Sequence, residues 1–314
     1  MKILVLGAGA IGAYYGARLI EAGADVTFAV RPTRKRVIEA NGLRIKSVLG
    51  DVLQSDVSLV DSSNIRGKYD LALLSCKTYD LEHAIEAIAP AVHAGANVLP
   101  FLNGLMPYDL LDRQFGRDKI MGGIAYIATM MSGDGVIQHF GDTDTVIIGA
   151  RSPRTRDVAQ QFHGVLSQSP GLRSISTNVD QALWDKWAMI SASALMCGLI
   201  RGTVGEIMAT REGAALMSQA IHECTEVARR SGFGLSVDVI DKIRGRLLDR
   251  ESTWAPSMMR DIEAGLPKLE ADAIVGDMAA RAHALDIPAP LTSAAYANLQ
   301  VYMARKASGL TASR

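Results

Sequence analysis

Cysteine is scarce in this chain of 314 residues. Cys76, Cys197 and Cys224 lie far apart with no Cys-x-x-Cys pair among them, which excludes a disulfide framework and a thiolate metal knuckle and fits a reducing compartment. The six histidines form no His-x-x-x-His pair, and no metal is expected. Charge of either sign is lacking in excess: 33 basic and 33 acidic residues cancel, so nothing recruits nucleic acid or an acidic membrane surface by bulk electrostatics. No apolar run approaches the roughly 20 residues that span a bilayer, and a glycine turn beginning at residue 7 leaves no room for a secretory leader, so a cytoplasmic protein is expected. What remains is ordinary for globular chains, 48% hydrophobic and 21% charged, with a length that predicts about two domains.

The first residues organise the rest. Met1 to Leu6 is a nearly continuous apolar run, as in a strand buried on both faces, and it leads into Gly7-Ala8-Gly9-Ala10-Ile11-Gly12 and an Ala-rich helical segment, Ala13 to Ala22. Glycine at this spacing serves three needs: a sharp turn at Gly7, close approach of a pyrophosphate at Gly9, and tight helix packing at Gly12. The helix N-terminus, with Ala10 and Ile11 in its first turn, offers free N–H groups and a positive dipole end. The turn Gly7, Gly9, Ala10, Ile11, Gly12 is therefore read as a dinucleotide cradle, against the plainer reading of an ordinary tight βα turn. Gly23 to Val30 is the next strand, and Arg31 stands where NAD-binding folds usually place a carboxylate, with Arg34, Lys35 and Arg36 following. A guanidinium favours a 2′-phosphate, so NADP is preferred to NAD; the plainer reading is a solvated basic helix start.

Leu43 to Val60 alternates as a small hairpin or sheet extension, and Tyr69 to Cys76 and Asn97 to Leu102 read as buried strands. Lys77 and Asn103 follow them at carboxyl ends, where ligands sit in open α/β sheets, although Asn103-Gly104 also reads as a plain turn. Further strands fall in Lys119–Met131, Gly135–Ile148 and Leu172–Ser176, with a helix over Val158–Leu166. From about Asp180 onward the pattern is helical, rich in Ala, Met and Leu. The expected architecture is thus α/β: an N-terminal Rossmann dinucleotide-binding domain over residues 1–177, then an all-helical substrate and catalytic domain over 178–314. Lys186 is the one cation in an otherwise apolar helix; it reads either as a desolvated lysine with lowered pKa or as a snorkelling lysine at a helix end. Glu270 and Asp272 open another apolar helix, where carboxylates commonly serve only the dipole. Met189, Met196, Met208 and Met217 read as core or as a homodimer interface.

Taken in order, MKILVLGAGAIG with Arg31, SCKTYD at Lys77, LNG at Asn103, LWDKW at Lys186, PSMMRDIEAG at Ser257, LEADAIVG at Glu270 and IPAP at Ile287–Pro290 resemble the ketopantoate reductase family over essentially the full chain. The resemblance implies a Rossmann domain followed by a helical domain like that of 6-phosphogluconate dehydrogenases. It implies NADPH-dependent reduction of 2-dehydropantoate to (R)-pantoate, in pantothenate biosynthesis. Lys186 would be the general acid and Glu270 its acidic partner and a cofactor-side contact. Ser257 would donate to substrate, Asn103 would bridge nicotinamide ribose and substrate, Lys77 would touch cofactor or substrate, and the chain would pass the nicotinamide near Ala128. The pattern departs where the family presents substrate-binding asparagines four and eight residues after the lysine, because Ile190 and Ala194 stand there. One extra residue also separates Gly265 from Glu270. Reduction of a different, less polar ketone or keto acid, and a non-catalytic NADP-binding sensor, are the competing expectations.

Overall fold

The structure, a computed structural model, describes residues 1–309. It divides into two compact units, one comprising Met1–Leu102 with Pro107–Ala182 and the other Asn103–Met106 with the chain from Leu183 onward. The division falls at Ala182/Leu183, inside a helix, and places the Asn103 loop with the helical unit.

The first unit is built from β1 (Lys2–Leu6), α1 (Ala10–Glu21), β2 (Asp25–Val30), α2 (Pro32–Asn41), β3 (Leu43–Lys46), β4 (Val52–Gln54), β5 (Ser58–Asp61), β6 (Leu71–Leu74), α3 (Leu81–His93), β7 (Asn97–Pro100), α4 (Met106–Phe115), β8 (Gly122–Met131), β9 (Ile137–Gly149), α5 (Arg156–Leu166) and β10 (Leu172–Ile175). Its parallel sheet has the order β5-β2-β1-β6-β7. Ile3, Leu4 and Val5 of the central β1 are fully buried, which is why this strand reads as an unbroken apolar run rather than an alternating one. Leu6 lies level with Ala29 and Leu74, so the carboxyl ends of β2, β1 and β6 line up along one edge. The second sheet runs β10-β9-β3-β4, with β8 antiparallel to β9.

Of the hairpin or sheet extension expected over Leu43–Val60, the hairpin is β3 and β4, which pair antiparallel. β5 is the extension, an edge strand added parallel to β2 from Thr27 opposite Ser58 to Val30 opposite Asp61. A buried strand such as β2 leaves a row of backbone donors and acceptors that a short edge strand satisfies.

One buried cluster fixes α1. The Asp144 carboxylate on β9 accepts hydrogen bonds from the hydroxyls of Tyr14 and Tyr15, each at 2.9 Å, and from both terminal nitrogens of Arg173, at 2.8 and 2.6 Å. Asp144 and Arg173 are almost wholly out of solvent, and the two tyrosines supply the extra bonds that a buried ion pair needs. The helix that opens on the glycine turn is thereby tied to the second sheet.

The second unit is helical: most of α6 (Val179–Ile200), then α7 (Val204–Met208), α8 (Gly213–Arg230), α9 (Val237–Leu247), α10 (Ser257–Glu263), a π-helical turn at Asp272–Gly276, α11 (Asp277–Ala284) and α12 (Pro290–Ala307). Its core includes Met196, Met208 and Met217, all buried, so these three methionines serve packing within the unit. No described helix is long and apolar enough to cross a membrane.

Candidate active site

At the β1–α1 junction Gly7 has φ of +93°, a left-handed conformation that disfavours any side chain. A Cβ at Gly12 would stand 2.0 Å from the Gly7 carbonyl oxygen and 2.2 Å from Ser75 Oγ, so the helix sits too close to the turn for even alanine. Gly9 differs, since a Cβ there would meet nothing within 4 Å: the space above it is open. No side chain caps the N-terminus of α1. An open face over uncapped N–H groups at the head of a twelve-residue helix, with Ala10 and Ile11 in its first turn, fits the pyrophosphate of a dinucleotide. Sequence reasoning missed Ser75, which follows β6 and donates to the carbonyls of Leu6 and Gly7, bracing the turn.

The basic residues after β2 divide in role. Arg31 is exposed, and its Nη2 donates to Asp80 Oδ2 at 2.9 Å. Arg34 is half-buried and binds backbone instead, Nε to Ala8 O at 2.9 Å and Nη1 to Gly135 O at 3.2 Å; its burial lowers its pKa. Lys35 lies 3.8 Å from Glu39 on its own helix. Lys77 opens the short 3₁₀ turn Thr78–Asp80 that leads into α3. Ala128 lies on β8 at a register shift against β9.

In the helical unit the structure brings Asn103, Lys186 and Glu270 together. Lys186 is not at a helix end: it lies well inside α6, half-buried, and its Nζ donates to Asn103 Oδ1 at 3.1 Å. Desolvation lowers its pKa to about 8, opposed by the negative charge of Glu270, itself only 6% exposed. The extra residue before Glu270 has therefore not carried the carboxylate away from the lysine. Two devices hold the group. Gly104, at φ +86°, lets the Asn103 loop lie against the π-helical turn, because a Cβ there would come within 2.2 Å of Ala273 O. The Ile274 carbonyl accepts from Trp187 Nε1 at 3.2 Å and Ser191 Oγ at 3.0 Å, filling both lone pairs from α6. Tyr296 donates to Asp272 at 2.8 Å, and burial with that carboxylate pushes its phenol up to about 12.

Trp187, Ser191 and Gly104 were not picked out as functional from the sequence. The signal for the first two is their spacing on α6, one residue beyond Lys186 and one beyond Ile190. Ile190 and the buried Ala194 follow Lys186 at one helical turn each, so the face carrying the lysine continues as an apolar one. The Ser193 hydroxyl donates to Ile190 O of its own helix. Ser257 is the half-buried first residue of α10. Among the described residues no three His, Cys, Asp or Glu side chains converge as metal ligands. The chemistry available is that of a lysine able to give or take a proton near neutral pH, steadied by an amide and a carboxylate.

The chain matches the family model described as ketopantoate reductase PanE/ApbA over residues 3–153, and the model for the C-terminal part of the same family over residues 178–303. It is 32% identical to the uncharacterized oxidoreductase YkpB of Bacillus subtilis (strain 168), over 98% of this chain and all of that one. It is 26% identical to a 2-dehydropantoate 2-reductase of Mesorhizobium japonicum, covering 95% and 96% of the two chains. Among solved structures, a PanE/ApbA family ketopantoate reductase from Ralstonia eutropha JMP134 superposes with a TM-score of 0.87 at 29% identity, over 98% and 100% of the chains. A D-mandelate dehydrogenase solved with NADH and anilino(oxo)acetate also scores 0.87, at 22% identity over 98% and 99%, and shares the fold.

Proposed function

The chain belongs to the ketopantoate reductase family, and on that premise we propose that it reduces a 2-keto acid to the 2-hydroxy acid with a nicotinamide dinucleotide, ketopantoate to (R)-pantoate being the reference reaction. The observation that carries the reading is the half-buried Lys186, paired with Asn103 and Glu270 and held at a pKa near 8. The dinucleotide, when bound, supplies the hydride. The protein's part is the proton. Lys186 Nζ donates it to the keto oxygen as negative charge develops there, and its own positive charge stabilises that oxygen beforehand. Desolvation makes the lysine a willing donor, because the neutral amine left behind suits the apolar surroundings of Ile190 and Ala194. Glu270 keeps enough of the lysine protonated to begin the step, and Asn103 Oδ1 aims Nζ. The Gly7–Gly12 turn holds the pyrophosphate, and Arg31 supports NADPH as the preferred form. Three free thiols support a reducing, cytoplasmic setting.

A second reading, favoured by Ile190 and Ala194, keeps this chemistry and changes the substrate to a less polar keto acid. A site built on amides rejects partners that leave them unpaired; an apolar face lacks the bonds that ketopantoate's hydroxyl needs. NADPH oxidation is measured with ketopantoate and with 2-keto acids bearing alkyl and aryl side chains, beside Lys186→Ala. The expected result is turnover that falls on the order of 10² to 10⁴ in the variant. Best turnover with an apolar keto acid decides for the second reading. Tight NADPH binding with no turnover across the panel refutes both and leaves a sensor.

A further inference from the structure

We propose that Asp80 is a cofactor-specificity residue, supplying from the loop after β6 the carboxylate that the end of β2 lacks. The inference rests on the dinucleotide reading of the glycine turn and concerns which dinucleotide is held there.

β2 and β6 flank β1 in the sheet, so their carboxyl ends lie on either side of the glycine turn. Arg31 follows the first of these strands. Asp80 closes the turn that follows the second, and the two side chains meet at 2.9 Å. In nucleotide folds of this type the end of β2 meets the adenosine ribose, where a carboxylate accepts from the 2′-hydroxyl of NAD and a guanidinium binds the 2′-phosphate of NADP. Here both groups occupy that place as an ion pair. Of the neighbouring cations, Arg34 spends two donors on the Ala8 and Gly135 carbonyls and leaves its buried Nη2 without a partner, Lys35 faces Glu39, and Lys77 opens the turn that Asp80 closes; they add positive charge that is the same for wild type and for an Asp80 variant.

Asp80 engages Arg31 through one nitrogen, and the remaining N–H groups of the guanidinium can receive a phosphate. That phosphate, at about −2, would then stand beside the Asp80 carboxylate with only the width of one guanidinium between them. The pair is exposed, Arg31 at 72% and Asp80 at 30%, so water and salt screen the repulsion without abolishing it. For NADH the same carboxylate is a charged acceptor for the 2′-hydroxyl. Asp80 thus weakens NADPH and strengthens NADH, making a site whose arginine alone would choose NADPH accept both.

Dissociation constants for NADPH and NADH are measured by quenching of protein fluorescence, without substrate, for the wild type, Asp80→Asn and Arg31→Ala. The wild type is expected to bind both cofactors. Asp80→Asn is expected to tighten NADPH by roughly three- to tenfold and to weaken NADH, widening the ratio on the order of tenfold or more. Arg31→Ala is expected to lose NADPH selectively. An NADPH-to-NADH ratio in Asp80→Asn within twofold of wild type overturns the proposal while leaving the dinucleotide site intact. Failure of the wild type to bind either cofactor overturns the dinucleotide reading itself, and the proposal with it.

Discussion

Replacing Glu270 with glutamine tests how the lysine is tuned. Two opposed effects act on Lys186: desolvation pulls its pKa down from 10.5 to about 8, and the charge of Glu270 pushes it up. If Lys186 is the general acid, kcat/KM for keto acid reduction follows its protonated fraction, about nine-tenths at pH 7 and about one-tenth at pH 9, falling tenfold per unit above that. An unperturbed lysine, at 10.5, would hold the rate within about a tenth of its maximum up to about pH 9.5. Glu270→Gln keeps the shape of the side chain and deletes the charge, so only the desolvation effect remains and the alkaline limb moves to lower pH. An opposite charge within a few ångströms is worth on the order of one pKa unit or more, and a shift of one unit would put the variant's limb near pH 7. At pH 8 the variant would then run at about a fifth of the wild-type protonated fraction, while at pH 6 the two would nearly agree. Initial rates of NADPH absorbance loss between pH 6 and 10, with a keto acid that is fully ionised throughout, read this directly. A wild-type rate nearly flat to about pH 9.5, or a variant limb still at pH 8, refutes the assignment of the proton to Lys186 or of the tuning to Glu270.

Two further substitutions probe the scaffold. Gly104→Ala places a methyl 2.2 Å from Ala273 O at a φ of +86°, so it is expected to cost on the order of 2 to 4 kcal/mol and to displace the Asn103 amide; chemical denaturation near wild-type values would show that the loop is not held there. Ile190→Asn returns an amide to the face that carries Lys186 and is expected to raise the ratio of kcat/KM for ketopantoate over an alkyl keto acid by roughly tenfold; an unchanged ratio would remove Ile190 from the substrate pocket.

The α/β half was legible because its signals are local. The run Ile3–Leu6 and the glycines after it state strand, turn and helix within a few residues, and the structure repeats that order. Which strand β5 joins was not legible, because its neighbour is chosen by the exposed edge of β2, a fact that alternation within Val57–Val60 does not contain. The division of labour between Arg31 and Arg34 was equally hidden, since it depends on which carbonyls the folded loop presents. In the helical half, Lys186 and Glu270 could each be singled out as charged residues in apolar segments. Their meeting is a long-range event, arranged by a π-helical turn whose sequence, Asp272–Gly276, carries no periodic mark of its extra width. Resemblance to a family supplied the pairing; packing supplies the reason for it.

That packing makes α6 a helix with two adjoining tasks. Lys186, Ile190 and Ala194 recur along one line, while Trp187 and Ser191, one step round the helix, grip the Ile274 carbonyl just beyond Glu270. Lys186 and the turn that follows Glu270 are therefore tied to the same helix, which fixes the lysine and the carboxylate relative to one another. On the proposed reading, Ile190 and Ala194 would have a double effect: they offer a polar substrate no hydrogen bonds, and by drying the surroundings they favour the neutral form of the lysine. A pocket that turned toward less polar keto acids would in the same step lower the pKa of its proton donor, which makes Glu270 more necessary, because its charge is what then keeps the lysine protonated at neutral pH.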